Sequence, residues 1–302
     1  MQLSYGLVIL AAIGWGIIGV FTKQSVKMGF TELEMLFVKV SMGVIILVPI
    51  FLARDKRLFR LHHIFDLKYF IGTGICSFVF FSWCYMKAIN ITSLGVAAVL
   101  LYTAPTIIMV FSLFLFQEKL TRKKGMVLAM TFLGCIFVTG LLENGAGHVS
   151  TKGLVLGLCA GFGYALYSIF GTFALQKGYH SMTITFYTFL VAAVFMAFLL
   201  HPLSVVQKIT EQKKWLFTFA FAMTTTILPY LAYTAGLSRI EASRASVIAT
   251  IEPVVAAVVG IFLFEESVSI LKIAGIVLVL SSVFFMRESP MKKEEETLKQ
   301  SE

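Results

Sequence analysis

The stretch WCYMKAINITSLGVAAVLLYTAPTIIMVFSLFLFQE, residues 83–118, decides the fold, because a second version of it recurs 148 residues later. The second version reads LAYTAGLSRIEASRASVIATIEPVVAAVVGIFLFEE and occupies residues 231–266. The two stretches are identical at nine matching positions, among them Pro105 and Pro253. One half of the chain is therefore a copy of the other.

The composition excludes a water-soluble domain. Hydrophobic residues make up 58% of the 302 positions, charged residues 14%, and the mean hydropathy is +0.89. A water-soluble core could not bury so much apolar surface. Lipid is therefore the expected solvent of the chain.

Ten apolar segments have lengths near the ~20 residues that a bilayer-spanning helix needs. They lie at residues 3–22, 33–53, 67–87, 92–116, 124–142, 152–175, 181–201, 214–236, 242–264 and 270–286. These runs are too long and too uniformly apolar for the strands of a membrane barrel. The sequence therefore predicts an all-α polytopic membrane protein with ten transmembrane helices.

The repeat divides the chain into a first five-helix unit at 3–142 and a second at 152–286, followed by a polar tail at 287–302. We expect this tail to be disordered. Because five is an odd number, the second copy must enter the membrane from the opposite side, which makes the repeat inverted. Inverted repeats supply the two pseudo-equivalent states of alternating access, with the substrate path at their seam.

The basic residues predict the orientation. With a cytoplasmic amino terminus, 16 of the 25 Lys and Arg residues lie in inner segments and eight in outer segments. This bias predicts that both termini are cytoplasmic. The net charge of +9 then reflects basic residues that orient the chain and lie next to anionic lipid. We therefore expect no nucleic-acid partner.

Residue patterns of metal sites and soluble enzymes are scarce. The four cysteines, Cys76, Cys84, Cys135 and Cys159, all lie within predicted helices and form no C-x-x-C pair, which favours buried thiols. The histidines do not have the spacing of a ligand set, and no Walker lysine motif occurs. We expect no metal, no cofactor and no enzymatic activity.

Two ionisable residues inside the apolar runs are functional candidates. Glu252 lies near the middle of the ninth segment, where a charge is costly and normally faces a cavity or a partner. It is a candidate substrate ligand and coupling residue, with helix-to-helix hydrogen bonding as the structural alternative. Lys39, in the second segment, is a second coupling candidate that could instead extend its ammonium to the membrane interface.

The paired prolines are candidate hinges. Pro105 and Pro253 interrupt their helices at matching places and free the carbonyls of Leu101 and Ala249. Such carbonyls need a partner or a watery cavity in the membrane. A hinge and a static packing device look alike in the sequence, and both interpretations stay open.

Aromatic residues supply the remaining cavity candidates. Their hydroxyl and indole groups require partners away from water, so some of them are expected to line the path, although any single one could serve packing alone. The candidates, beside Glu252, are Trp15, Trp83, Tyr102, Tyr164, Tyr167, Tyr230 and Tyr233.

Several motifs together resemble the EamA family of the drug/metabolite transporter superfamily. They are Gly14-Trp15-Gly16, the segment from Tyr85 to Asn90 leading to Pro105, and the Phe-Leu-Phe-x-Glu endings at Glu118 and Glu266. The resemblance implies helices one, three, four, six, eight and nine around a central cavity, in a bacterial cytoplasmic membrane. Lys39 departs from the arginine that members often carry. Glu118 and Glu266 could each cap the next helix.

The expected function is secondary transport, with export of small organic metabolites such as amino acids by alternating access through the central cavity. The expected partners are a small-molecule substrate and the lipid bilayer, and the protein would be a monomer or a homodimer. A non-transporting membrane receptor or assembly partner is the alternative. An intramembrane enzyme is a third possibility, which lacks a supporting constellation of residues.

Overall fold

The computed structural model describes residues 2–144, 150–211 and 214–286. Within these ranges the chain is helical and contains no strand. Its ten main helices are α1 Gln2–Lys27, α2 Glu32–Arg54, α3 Ile64–Ile91, α4 Leu94–Leu115, α5 Arg122–Val138, α6 Thr151–Gln176, α7 Ser181–Leu199, α8 Trp215–Leu237, α9 Ala242–Phe264 and α10 Ile270–Met286. The predicted tail lies outside the described residues.

Eight of these helices are long and apolar enough to cross a membrane, namely all except α5 and α10. Both α5 and α10 have 17 residues, the lower end of the range for a spanning helix. The prediction of an all-helical polytopic membrane protein is confirmed. The count of ten spans and the inversion of the repeat stay predictions.

The fourth helix of each half is interrupted just before its proline. In α4 the helix stops at Leu101 and resumes at Ala104, and in α9 it stops at Ala249 and resumes at Ile251. Pro105 and Pro253 then lie in the first turn of the resumed segments, where a helix does not need the missing N–H. Both interruptions occur where the sequence predicts them.

The backbone repeats at the ends of these two helices. Gln117 and Glu265, 148 positions apart, both adopt the left-handed conformation, with φ values of 55° and 54°. The N–H of the following glutamate donates to a carbonyl six residues earlier, at 3.1 Å in the first half and 3.2 Å in the second. A left-handed residue at this position is common where a helix ends.

The third helix of each half contains wide π-helical turns, at Gly72–Val79 in α3 and at Met223–Ile227 in α8. Such turns arise where an extra residue is accommodated in a helix, and they are frequent at functional sites. Both stretches pack against helices of the opposite half.

Glycines let each first helix pack into the opposite half. A Cβ on Gly16 of α1 would lie 2.8 Å from the carbonyl oxygen of Glu252 in α9, and one on Gly161 of α6 would lie 2.8 Å from that of Leu100 in α4. Helix α1 therefore packs on the second half, and α6 packs on the first. The two halves interlock, and a cavity lies between them.

Candidate functional site

The cavity between the halves has a volume of about 210 Å³. Helices α1, α2, α3, α6, α8 and α9 line it, and α4 contributes Leu101. Compared with the arrangement that the family resemblance implies, α2 is an additional wall. The lining comprises Trp15, Ile18, Thr22, Ser25, Glu32, Met35, Leu36, Lys39, Phe78, Phe81, Ser82, Tyr85, Met86, Ile89, Leu101, Tyr164, Phe221, Thr225, Thr226, Tyr230 and Glu252.

Helix α2 brings Lys39 into the cavity. The α2 residues of the lining, Glu32, Met35, Leu36 and Lys39, are spaced at i, i+3, i+4 and i+7, which is one face of a helix. Lys39 is the last of this stripe and is only 7% exposed. Its ammonium lies 4.8 Å from the centre of the Phe221 ring, a distance that permits a cation–π contact.

Glu252 lies where α9 is interrupted, in the first turn of the segment Ile251–Phe264. Its carboxylate is 3.5 Å from the hydroxyl of Tyr164, the outer limit of a hydrogen bond. Its backbone carbonyl oxygen packs closely against Gly16 of α1. The interruption of α9 therefore holds a weakly partnered carboxylate against the cavity.

Trp15, Tyr164 and Tyr230 form the aromatic wall beside Glu252. The Trp15 ring contacts the rings of Tyr164 and Tyr230 edge-on, with centroid distances of 6.2 and 5.3 Å. The indole N–H of Trp15 is buried and finds no acceptor among the described residues. It is an inward-facing donor of the aromatic wall with almost no accessible surface.

Tyr167 and Tyr233 lie in a packed layer beneath the cavity. The Tyr167 hydroxyl is 2.7 Å from that of Thr234, and the Tyr233 hydroxyl is 2.7 Å from that of Ser168. The void that remains in this layer measures about 10 Å³, little more than one water molecule requires. The layer closes the cavity on the side of the α1 amino terminus.

Besides Tyr167 and Tyr233, two further aromatic candidates lie outside the cavity lining. Trp83 is 44% exposed on the surface of α3, where lipid would surround it. Tyr102 lies at the interruption of α4 and packs against a cluster that contains Cys135 and Val279. The structure thus separates these two residues from Trp15, Tyr164, Tyr230, Lys39 and Glu252, which share one cavity.

A charged cluster lies beyond the tyrosine layer, at the start of α9. The Glu118 carboxylate accepts hydrogen bonds from the Ala242 N–H, at 3.0 Å, and from the Ser243 hydroxyl. Glu118 therefore caps a helix of the opposite half, whereas the sequence predicts a cap on the next helix. The next helix, α5, is capped by Thr121 instead.

Lys124 and Arg244 complete this cluster. The Lys124 ammonium is 3.5 Å from Glu118 and 3.0 Å from Glu241, and Arg244 pairs with Glu241 as well. Burial by itself would raise the pKa of the Glu241 carboxyl, but hydrogen bonds from Arg244 and Lys124 hold that pKa below its ordinary value. Glu241 is thus anionic at neutral pH and links α5 to α9.

The equivalent glutamate of the second half lacks the capping contact. Glu266 contacts Lys272 at 3.3 Å, six residues on, as Glu118 contacts Lys124. Among the described residues, however, no backbone N–H of α4 donates to Glu266. The side of the molecule near Glu118 is closed, and the cavity extends toward the opposite side, where Glu32 and Ile89 line it.

A family model described as the EamA-like transporter family matches residues 2–140 and again residues 151–287. The chain belongs to this family. The family that the sequence motifs predict is confirmed.

Curated relatives match most of the chain at low identity. An uncharacterized transporter from Archaeoglobus fulgidus is 25% identical over 287 residues, which cover 94% of this chain and 96% of the relative. A threonine/homoserine exporter from Salmonella typhimurium is 24% identical and covers 85% of this chain and 83% of its own length. A probable amino-acid metabolite efflux pump from the same organism is 25% identical, with coverages of 63% and 66%.

A crystal structure shares the fold, with a TM-score of 0.76, 15% identity, and coverage of 94% of this chain and 96% of the other. As a member of this family, the protein is an integral membrane transporter of small molecules and is not an enzyme. The class predicted from the sequence is thereby confirmed.

Sequence reasoning did not single out several cavity residues of this transporter. Phe78 and Thr225 line the cavity and belong to the π-helical turns. In such turns, regular helical spacing no longer predicts which residues share one face. Phe221 and Met35 look like ordinary lipid-facing residues. Met35 and Lys39 follow the charged Glu32 at i+3 and i+7, on one face of α2. This spacing is the sequence feature that predicts the α2 wall.

Proposed function

We propose that this protein exports small organic metabolites, amino acids among them, by alternating exposure of the cavity between its two halves. The observation that carries the proposal is the cavity itself, which contains the ionisable side chains of Lys39 and Glu252. Its volume of about 210 Å³ lies below the roughly 300–1,000 Å³ of pockets for drug-sized ligands. A small substrate is therefore favoured.

In the proposed topology ten helices cross the cytoplasmic membrane of a bacterium, the second repeat is inverted, and both termini are cytoplasmic. The excess of 16 basic residues over eight supports this orientation. The Glu32 end of the cavity then faces the exterior, and the tyrosine layer and the Glu118 cluster close the cytoplasmic side. Reporter fusions at both ends should report cytoplasm, and one near Ala146 should report the exterior. A C-terminal fusion that reports the exterior would contradict the inverted repeat.

Alternating access requires the Glu118 contacts to break when the cytoplasmic side opens. Glu266 occupies the equivalent position in the second half, so the symmetric state would have Glu266 at the amino terminus of α4, near Leu94. Pro105 and Pro253 are the proposed hinges, since the helices are interrupted before both of them. Lys39 and Glu252 are the proposed coupling residues.

The test is efflux of a metabolite panel from cells that overproduce the protein, repeated in proteoliposomes loaded with the best candidate. At least one small metabolite should leave faster with the wild type than with Glu252→Ala at equal abundance. Glu265→Ala is the matched control, because Glu265 is exposed and does not line the cavity. Specific binding without flux would favour a receptor or an assembly partner and would contradict the proposal.

A further inference from the structure

We infer that the two access states of this protein are unequal in energy, and that Glu241, Ser243 and Arg244 at the start of α9 favour the state in which the Glu118 side is closed. The Glu118 side is the end of the molecule where α4 ends and α9 begins. The three residues do not line the cavity. They act on the equilibrium between the states and are therefore positioning residues for transport. The inference rests on the proposed function, since alternating access supplies the second state.

The Glu118 side is closed by contacts that join the two halves. The Lys124 ammonium, on α5 of the first half, is 3.0 Å from the Glu241 carboxylate of the second half. Glu118 accepts hydrogen bonds from the Ala242 N–H at 3.0 Å and from the Ser243 hydroxyl. The side chains of Glu118 and Lys124 are only 10% and 7% exposed. Their charged contacts are therefore shielded from solvent and are stronger than the same contacts on an open surface.

Arg244 fixes the position of Glu241. It pairs with Glu241 within the first turn of α9, and its guanidinium also donates to the backbone carbonyl of Met286, at 3.3 Å. Glu241 thus has a cation from each half, Lys124 from the first and Arg244 from its own. The network joins the end of α4 and the start of α5 to α9 and to the end of α10.

The repeat shows that the opposite side cannot form the same network. At the offset of 148 positions, Glu118 and Lys124 correspond to identical residues, Glu266 and Lys272. The three positioning residues do not repeat, because the counterparts of Glu241, Ser243 and Arg244 are Ser93, Gly95 and Val96. None of these counterparts is charged, and the glycine has no hydroxyl to donate. Closure of the Glu266 side would therefore form fewer polar contacts between the halves.

Two other polar contacts already join the halves on the Glu266 side. Lys208, between α7 and α8, pairs with Glu34 of α2 at 2.9 Å, and the Ser269 hydroxyl donates to the Glu143 carboxylate. Neither contact involves the start of α4. Both are present while this side is open, so they do not favour its closure. The difference in the charged network is thus left uncompensated by these contacts.

The bias has a consequence for transport. A substrate that enters from the Glu118 side binds only the fraction of molecules in which this side is open, and its apparent affinity is reduced by that fraction. Weakening the network should raise the fraction without any change in the cavity. Adding charges at the start of α4 should have the same effect, because it would stabilise closure of the Glu266 side.

The experiment measures how fast a small water-soluble maleimide modifies two reporter cysteines, each in a cysteine-free full chain in lipid nanodiscs. Ser82→Cys lines the cavity and reports the open Glu266 side. Ser112→Cys is on α4, six residues before Glu118, at a position with 0% exposure. It reports opening of the Glu118 side, because its reaction rate follows the population of that state.

Glu241→Gln keeps the shape of the side chain and removes its charge. It should raise the rate of Ser112→Cys modification by about 5-fold or more, the lower end of the range for coupling between sites. Ser82→Cys should react at the same rate or more slowly, whereas general loosening of the fold would accelerate both reporters. The double substitution Ser93→Glu and Val96→Arg, which adds the missing charges at α4, should also accelerate Ser112→Cys.

Glu265→Gln is the matched control. Glu265 is exposed, and glutamine is the residue at the equivalent position, Gln117. Neither reporter should change its rate in this variant.

Three results would overturn the inference. They are an unchanged rate of Ser112→Cys in Glu241→Gln, acceleration of both reporters in that variant, and slower modification of Ser112→Cys when charges are added at α4. Failure here is distinguishable from failure of the proposed function. Efflux of a metabolite with unchanged reporter rates would refute only the bias. The expected rates without efflux of any metabolite would refute only the proposed function.

Discussion

The ammonium of Lys39 and the carboxylate of Glu252 line one cavity without forming a salt bridge. Lys39 is held on α2 of the first half and Glu252 at the interruption of α9 in the second half. A ligand that contacts both residues therefore joins the two halves. This arrangement would couple occupancy of the cavity to the relative position of the halves, as alternating access requires.

Glu252→Gln tests proton coupling. Protonation of Glu252 and binding of a cationic group to it exclude each other, so this carboxyl could exchange a proton for substrate. Gln keeps the shape and most hydrogen-bonding capacity but cannot titrate. We expect a folded protein whose transport in proteoliposomes no longer depends on pH.

Glu252→Leu tests the alternative that Glu252 has a structural role and forms a hydrogen bond between helices. Loss of a helix-to-helix hydrogen bond should cost roughly 0.6–2 kcal/mol of stability, measured by thermal unfolding in detergent. If the Gln variant transports with the wild-type pH profile and the Leu variant is merely less stable, Glu252 is a packing residue and proton coupling through it is wrong.

The proposed hinge role of the two prolines is tested by Pro105→Ala and Pro253→Ala. Alanine restores the donor that proline lacks and favours a continuous helix, so thermal stability should be unchanged or higher while transport becomes slower. Thermal unfolding and initial transport rates measure the two effects separately. Lower stability with an unchanged specific rate would instead identify the prolines as packing residues.

We expect the Glu118 cap to stabilise only the closed side of the molecule, near the start of α9. Glu118→Ala removes the acceptor of the Ala242 N–H, which should cost about 1 kcal/mol, as loss of a helix cap does. Hydrogen exchange of the first turn of α9 should become faster. Glu266→Ala, at the same position of the repeat, should leave that exchange unchanged. Equal effects of both substitutions would contradict the asymmetry between the two ends of the molecule.

The close approach of α1 to α9 should not tolerate a methyl group. A Cβ on Gly16 would lie 2.5 Å from the Cβ of Val255, so Gly16→Ala should cost about 1–3 kcal/mol through overpacking. Gly19→Ala, in the same helix, meets no atom within 4 Å and should be neutral or slightly stabilising. Thermal unfolding of both variants checks this. Equal stability would show that α1 can shift away from α9 without cost.

Much of the fold could be predicted from the sequence, because length and apolar composition determine membrane spans. The interruptions of α4 and α9 followed from Pro105 and Pro253, whose chemistry acts locally. Glu252 and Trp15 could be predicted to face a cavity because a polar group inside an apolar run is costly unless it does so, and both line the cavity between the halves. Predicting these features requires only the local sequence and the apolar nature of the lipid.

The remainder of the site depends on contacts between the halves. Both lipid and protein interior are apolar, so composition does not distinguish lipid-facing Trp83 from cavity-lining Phe221. The π-helical turns of α3 and α8 change which residues face the cavity, and regular helical spacing does not reveal them. Likewise, the Glu118 cap joins residues 124 positions apart, a pairing that only the packed structure determines.

The most direct test of a transport path through this cavity uses a cysteine-free variant with Ser82→Cys in the lining. Ser267→Cys, exposed between α9 and α10, is the control. A membrane-impermeant thiol reagent added outside should modify both variants but abolish transport only in Ser82→Cys, and a transported metabolite should slow the Ser82→Cys reaction. Undiminished transport after complete modification of Ser82→Cys would contradict the account.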